Sequence, residues 1–378
     1  MPYQVHSDVN ERFSQHSPHL PNTPDAFIES VDRIAGIAGL DDHGRDDLTR
    51  IAARYPFRVT EYYASLIDRD DPCCPIRRQA VPSLDELDGS YGTADPLTED
   101  ANSPVPGLIR VYPDRVAVII TNRCPTYCRH CLRKRLTRTD AEDLRGNRRR
   151  SVMDYIRRDL SIRDVLLTGG DPLMFGDDEI DDILAELRSI GHVKIIRIGT
   201  RAPCTWPGRI SEGLCAVFRK HRPIWLSTQF NHPRELTEAS ERALAALADS
   251  GVPVNNQSVL LKGINDSVSV MRDLVQKLVR NRVRPYYLYQ AQTLAGTEHF
   301  VTSIERGFEI IRGLRGWTTG FAVPQFILDT PYGKVPLNPD YAVGREGEYF
   351  VVKNYTGKEW REYNPRGDEP DSLPDRDV

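Results

Sequence analysis

The chain has 378 residues, a length that fits one large α/β unit with attachments, and its 39% hydrophobic and 28% charged residues are an ordinary balance for a globular protein. Its formal net charge of -4 and sequence pI near 6.2 give no reason to expect nucleic acid as a partner. No apolar run approaches the roughly 20 residues needed to cross a bilayer, so we expect no membrane segment. Seven cysteines without an evident targeting segment favour a reducing cytoplasm.

Residues 1–107 are predicted to form a region outside the main domain. Residues 1 to about 24 are polar and predict a loose tail. Helical patterns follow at residues 27–34 and 48–52. Residues 81–107 hold several prolines and acidic residues, which predict an extended connection that wraps around the rest of the protein.

From residue 108 to 320 the pattern changes to an alternation of strands and helices. Apolar runs of strand length occupy residues 116–120, 165–167, 193–198, 224–226, 252–261 and 283–289. Amphipathic helical patterns lie between them, which predicts parallel strands joined by right-handed crossovers. The strand count falls short of an eightfold barrel, so we predict an α/β fold with an open, partial parallel β/α barrel. Active sites of such barrels lie at the carboxyl ends of the strands.

Three cysteines follow the first of these strands with the spacing Cys-x3-Cys-x2-Cys. They are Cys124, Cys128 and Cys131. A [4Fe–4S] cluster has room for four protein ligands, so a set of three leaves one iron open. The alternative, buried or disulfide-forming cysteines, does not account for the motifs that follow. The spacing resembles that of radical S-adenosylmethionine proteins, in which the open iron takes the amino and carboxylate groups of the cosubstrate.

Two other motifs carry candidate site residues. Gly169, Gly170 and Asp171 follow the second strand, where paired glycines let a ligand approach the backbone and the aspartate can accept from an ammonium. The same sequence is also a common structural turn. Lys334 follows Gly333 in a predicted turn, and a lysine beside a cavity can form a Schiff base with pyridoxal phosphate, although most such lysines are solvated.

Motifs spread over residues 55–355 resemble the lysine 2,3-aminomutase family of radical S-adenosylmethionine enzymes. They include the segments 62–68, 103–107, 112–116, 127–131, 230–233, 256–261 and 283–287. The resemblance implies an isomerase that moves an α-amino group to the β-carbon of a small-molecule amino acid with a [4Fe–4S] cluster, S-adenosylmethionine and pyridoxal phosphate. It implies a barrel of the radical S-adenosylmethionine type, with residues 321–378 as a cofactor-binding segment. We also expect an electron donor such as flavodoxin or ferredoxin, and a homo-oligomer.

The resemblance also implies roles for single residues. Lys334 would hold pyridoxal phosphate and Arg115 its phosphate, while the segment 169–171 and Gln257 would contact S-adenosylmethionine. Arg133 would pair with the substrate carboxylate, which a planar guanidinium can bind through two hydrogen bonds. The family often has a second phosphate arginine where this chain has a valine, and whether Arg110 replaces it is left open.

The predicted substrate depends on the distal pocket. Lysine-specific members hold the distal ammonium with two aspartates, of which Asp329 matches one and Gln292 replaces the other. An ammonium would lose a charged partner worth roughly 1.5–3 kcal/mol, whereas a guanidinium can share its donors between a carboxylate and an amide oxygen. The sequence interpretation therefore places arginine first, with β-arginine as the product, lysine second and glutamate third.

Two alternative functions and a structural zinc site are also weighed from the sequence. A radical enzyme that modifies a lysine on a protein partner would not need Asp329, and a simple electron carrier would not need Lys334. The structural zinc of clostridial members requires cysteines that this chain lacks, since Ser267 stands at the first position and no cysteine follows Cys215. We therefore predict no zinc.

Overall fold

The computed structural model describes residues 27–89, 92–138, 143–338 and 341–363. The predicted tail at residues 1–24 lies outside these ranges. The helices of the described ranges are α1 (Val31–Ala38), α2 (Asp42–Arg54), α3 (Glu61–Ser65), α4 (Pro75–Ala80), α5 (Gly146–Arg158), α6 (Asp177–Arg188), α7 (Ala202–Thr205), α8 (Glu212–Lys220), α9 (Glu238–Asp249), α10 (Val268–Arg280) and α11 (Ile304–Leu314). The strands are β1 (Phe27–Ile28), β2 (Val59–Thr60), β3 (Leu108–Tyr112), β4 (Arg115–Thr121), β5 (Asp164–Gly169), β6 (Ile195–Gly199), β7 (Ile224–Thr228), β8 (Val254–Leu260), β9 (Val283–Gln290), β10 (Gln325–Thr330), β11 (Gly333–Pro336), β12 (Ala342–Glu346), β13 (Tyr349–Lys353) and β14 (Glu359–Tyr363).

The central sheet has nine strands in the order β11-β10-β9-β8-β7-β6-β5-β4-β3. Strands β4 to β10 pair in parallel with their neighbours in chain order, and β3 and β11 add antiparallel edges. Helices α5 to α11 lie in the connections between the parallel strands, as a β/α barrel requires. The predicted open parallel barrel is therefore confirmed.

The two edges of the sheet are joined by a side chain. The backbone N–H of Lys334 in β11 donates to the hydroxyl of Tyr112 in β3 at 2.7 Å. Gly333 allows this approach, since its φ is +119° and a Cβ on it would lie 3.0 Å from the Tyr112 hydroxyl. The strand carrying Lys334 is thereby fastened across the opening of the barrel.

The apolar helical faces predicted from the sequence are buried in α6 and α10. In α10 the buried residues are Met271, Leu274, Val275 and Leu278, which share one helical face. Ser267 caps this helix by accepting a hydrogen bond from the backbone N–H of Val270, so the position of the family's first zinc cysteine is used here as a helix cap. The absence of zinc stays a prediction for metal analysis.

The regions around the barrel are attached in different ways. Helices α1 to α4 of the N-terminal region contribute to the same hydrophobic core as the barrel. Strands β12 to β14 form a separate three-stranded antiparallel sheet that the sequence interpretation did not foresee.

No helix in the described ranges is long and apolar enough to cross a membrane. The division at residues 107/108 and 320/321 stays a prediction.

Candidate active site

A cavity of about 320 Å³ lies at the carboxyl ends of the parallel strands. Its wall draws on the cysteine loop after β4, on the ends of β5 to β10 and on β11. The predicted site residues that line it are Cys124, Cys128, Cys131, Arg133, Gly169, Gly170, Asp171, Gln257, Gln292, Asp329 and Lys334. Residues up to 210 positions apart in the chain thus meet where the barrel prediction placed them.

The three cysteines fit a cluster better than a single metal ion. No three His, Cys, Asp or Glu side chains of the described residues converge on one ion position, whereas the ligands of a cubane bind separate irons. Burial raises the pKa of the Cys124 thiol well above its usual value and that of Cys131 to about 11. The thiols of Cys124 and Cys131 are therefore protonated at neutral pH in the absence of a cluster, and cluster assembly must release those protons. Cys124, Cys128 and Cys131 are the residues that would hold it.

The end of the cysteine loop is clamped by a buried cluster of three charged side chains. The carboxylate of Glu86 accepts hydrogen bonds from the guanidinium of Arg129 at 2.9 Å and 2.5 Å and from the ammonium of Lys134 at 2.6 Å. Burial opposes ionisation of Glu86, but the two cations lower its pKa below the usual value. Glu86 belongs to the predicted wrapping connection, so that connection fixes the loop that carries the cysteines.

The paired glycines are required by backbone packing. A Cβ on Gly169 would lie 2.4 Å from the carbonyl oxygen of Thr121, and one on Gly170 would lie 2.2 Å from that of Arg123. Side chains there would displace the start of the cysteine loop. The turn is thus pressed against the loop, and its backbone faces the cavity at the position predicted for S-adenosylmethionine.

Asp171 connects neighbouring loops instead of standing free in the cavity. Its carboxylate accepts from the backbone N–H groups of Leu173 and Arg201 at 3.0 Å and 2.9 Å and from the hydroxyl of Thr200 at 2.7 Å. Burial nevertheless raises the pKa of Asp171 above its usual value. The structure thus gives Asp171 a positioning role, while the direct contact with an ammonium expected from the sequence stays a prediction.

Arg133 is held by a residue that the sequence interpretation missed. The carboxylate of Glu99 accepts from Nε of Arg133 at 3.1 Å and from Nη2 at 2.7 Å. Burial would lower the pKa of Arg133, but the Glu99 carboxylate raises it above the usual value. The remaining Nη1 group lies 3.4 Å from the hydroxyl of Thr168 on the cavity wall. One edge of the guanidinium is thereby fixed by Glu99, and the other is presented to the cavity.

Lys334, Asp329 and Gln292 lie together at the cavity wall, and the pairing of Lys334 with Asp329 was not part of the sequence prediction. Asp329 and Lys334 are cross-strand partners in the β10–β11 hairpin, with Nζ of Lys334 3.2 Å from Oδ2 of Asp329. The side-chain amide of Gln292 donates to the backbone carbonyl of Asp329 at 2.8 Å. The Lys334 ammonium also lies 5.7 Å from the ring centre of Tyr289. The amine that would hold pyridoxal phosphate is thus at the cavity wall, beside a carboxylate.

The two candidate phosphate arginines lie outside the cavity wall of the described structure and have different partners. The guanidinium of Arg115 stacks on the ring of Tyr112, with its carbon 3.7 Å from the ring centre, and so lies next to the strand of Lys334. Arg110 binds Asp159 and also donates to the hydroxyl of Tyr155 at 2.9 Å. Arg110 also donates to the backbone carbonyl of Pro113 at 2.8 Å and to the hydroxyl of Ser161 at 3.0 Å. Arg110 is therefore engaged by partners that do not line the cavity.

Comparison with known proteins agrees with this geometry. The model of the radical SAM superfamily matches residues 118–275, and the lysine-2,3-aminomutase model matches residues 311–370. The L-lysine 2,3-aminomutase of Clostridium subterminale is 45% identical over 333 residues, which cover 87% of this chain and 80% of that protein. The chain belongs to the lysine 2,3-aminomutase family.

Other members of the family are similarly close. The L-lysine 2,3-aminomutase of Fusobacterium nucleatum subsp. nucleatum is 45% identical over 87% of this chain and 78% of its own length. The glutamate 2,3-aminomutase of Clostridioides difficile is 40% identical over 88% of this chain and 79% of its own length. The protein is thus a radical S-adenosylmethionine amino acid 2,3-aminomutase, an isomerase that uses a [4Fe–4S] cluster, S-adenosylmethionine and pyridoxal phosphate. The enzyme class and cofactors predicted from the sequence are confirmed.

Proposed function

We propose that this aminomutase acts on L-lysine and produces β-lysine, with L-arginine as the second candidate. The relatives described above are named for lysine or glutamate, and none of those is named for arginine. The arginine preference predicted from the sequence is therefore not supported, and lysine takes the first place.

The observation that carries this proposal is the ion pair of Asp329. Its carboxylate already holds an alkylammonium, that of Lys334, at 3.2 Å. Once Lys334 is engaged by its cofactor, Asp329 is left as a partly buried carboxylate without that cation. An ammonium at the end of a substrate chain can then take the same place. A glutamate side chain would instead bring a second carboxylate beside it, which is unfavourable.

Gln292 keeps arginine as a candidate. Its amide nitrogen donates to the backbone of Asp329, so its amide oxygen is left as an acceptor near the same carboxylate. A guanidinium has enough donors to use both groups, while an ammonium gains less from a neutral second partner.

The roles of the other residues follow from their positions. Arg133 would bind the substrate carboxylate with the guanidinium edge that faces the cavity, which leaves the α- and β-carbons between the carboxylate site and Asp329. The cysteines at 124, 128 and 131 would hold the cluster, Lys334 and Arg115 would hold pyridoxal phosphate, and the segment 169–171 with Gln257 would face S-adenosylmethionine. The bound cofactors supply the radical chemistry that moves the amino group. A reductant of the flavodoxin or ferredoxin kind would supply the electron.

A competition experiment tests the substrate. The reconstituted enzyme is incubated anaerobically with equal concentrations of lysine, arginine and glutamate, and mass spectrometry after chromatography identifies the β-isomers. We expect β-lysine to dominate, and Asp329→Asn to reduce the formation of both cationic products. Dominance of β-arginine would select the second candidate. A dominant β-glutamate would refute recognition by Asp329.

A further inference from the structure

A buried arginine touches one of the three cysteines. Arg201 lies in the turn between β6 and α7, and only 8% of its surface is exposed. Its Nη1 group is 2.7 Å from Sγ of Cys128 and donates to it. The two residues are 73 positions apart, so no local pattern of the sequence announces this contact.

The other donors of the guanidinium fix its direction. Nη2 donates to the carboxylate of Glu235 and to the amide oxygen of Gln79, both at 2.7 Å. Nε donates to the backbone carbonyl of Gln229 at 3.2 Å. With these bonds in place, rotation of the guanidinium away from Cys128 would leave buried donors unpaired, which is costly.

The positive charge of Arg201 is incompletely cancelled by its carboxylate partner. The fully buried Glu235 also accepts a hydrogen bond from the hydroxyl of Tyr63 at 2.5 Å. It accepts two more from the backbone N–H groups of Asn231 and His232, at 2.5 Å and 2.9 Å. Its negative charge is therefore shared among several donors, and the guanidinium keeps an electrostatic effect on the sulfur that it contacts.

We propose that Arg201 raises the reduction potential of the cluster by donating to the thiolate of Cys128. The inference rests on the proposed role of Cys128 as a cluster ligand. Reduction adds one electron, delivered by the external donor, to a buried unit that the thiolates already make negative. A neighbouring cation and a hydrogen bond to a ligand sulfur both stabilise the added charge, so the reduced form becomes easier to reach. Arg201 is thus a positioning and tuning residue that acts through Cys128.

The test is an anaerobic redox titration of the reconstituted cluster, followed by electron paramagnetic resonance in the absence of amino acid substrate. In Arg201→Gln the equilibrium for reduction should shift at least tenfold toward the oxidised form, which is 59 mV for a one-electron couple. Arg201→Lys keeps the charge but loses the planar fork, and should shift less. The control is Arg197→Gln in β6, since Arg197 pairs with Asp164 at 2.8 Å and should leave the equilibrium within about threefold of wild type.

The outcomes separate this inference from the proposed function. A wild-type protein that assembles no cluster would refute the assignment of the cysteines. A cluster whose potential is unchanged in Arg201→Gln, or equally shifted in Arg197→Gln, would overturn the role of Arg201 alone. If the glutamine variant does not fold, the lysine variant decides, and an unchanged potential or an upward shift there would overturn the proposal.

Discussion

Replacing Arg133 with lysine should weaken substrate binding without much change in turnover. Arg133 uses Nε and Nη2 for Glu99 and presents Nη1 to the cavity. A lysine has one charged centre, which the Glu99 carboxylate would hold. A single ammonium therefore cannot bind both Glu99 and the substrate carboxylate as well as the guanidinium does. The substrate carboxylate then loses a charge-assisted hydrogen bond worth roughly 1.5–3 kcal/mol. At 1.4 kcal/mol per factor of ten, KM should rise roughly 10- to 150-fold.

The kinetic pattern distinguishes binding from chemistry. The carboxylate does not react, so its contact contributes equally in the bound state and the transition state, and kcat should stay nearly unchanged. The assay is the initial rate of β-amino acid formation over a range of substrate concentrations, in enzyme whose iron and pyridoxal contents match those of wild type.

Arg135 provides a matched control for this substitution. It lies two residues further on, outside the cavity wall of the described structure, and its Nη2 is 3.5 Å from the same Glu99 and 3.1 Å from Asp100. Arg135→Lys should change KM less than about threefold, because the charge is kept and the side chain does not line the cavity. An unchanged KM in Arg133→Lys, or an equal increase in both variants, would refute the assigned role of Arg133.

Three further substitutions test other parts of the structure. Glu86→Gln leaves two buried cations without their carboxylate, which should lower the free energy of unfolding of the apoprotein by about 3–5 kcal/mol. An unchanged denaturation midpoint would show that Glu86 does not stabilise the cysteine loop. Tyr112→Phe removes the hydrogen bond between the sheet edges, which is worth about 1 kcal/mol, so the backbone amide of Lys334 should exchange hydrogen several-fold faster. An unchanged exchange rate would show that this hydrogen bond does not fasten β11. Gln292→Asp should raise the specificity for lysine over arginine by a few-fold to a hundred-fold, or about 1–3 kcal/mol, and a lower ratio would reject the distal-pocket model.

The parts of the site that were predictable are those that local sequence encodes. The spacing of the cysteines indicates a shared loop after a strand, and the alternation of strand and helix patterns places that loop at the mouth of a barrel. The pairing of Asp329 with Lys334 was also accessible. Two residues, Pro331 and Tyr332, separate Thr330 from Gly333, and a hairpin with such a turn brings Asp329 opposite Lys334.

The residues that were missed act through contacts between distant segments. Glu99 lies 34 positions before Arg133, in a connection whose prolines indicated only an irregular path. Arg201 stands in a turn with no periodic pattern, and its contact with Cys128 exists only after the two loops that carry these residues have packed together. The ranking of arginine over lysine is a different case. It depends on the amide oxygen of Gln292 as an acceptor, and the hydrogen bond from its amide nitrogen to the backbone of Asp329 leaves that oxygen available. The contacts of this one residue do not decide between two cationic substrates, so the names of the relatives put lysine first.

Intramolecular migration of the amino group is tested most directly by an isotope experiment. Lysine labelled with nitrogen-15 at the α-position and with carbon-13 throughout is mixed with unlabelled lysine and incubated anaerobically with reconstituted enzyme, S-adenosylmethionine and a reductant. We predict β-lysine in which nitrogen-15 on C3 stays with the carbon-13 skeleton, and no such product from Lys334→Ala or Cys128→Ala. Scrambling of nitrogen between the two lysine pools, or full activity in either variant, would contradict an intramolecular 2,3-migration at this site.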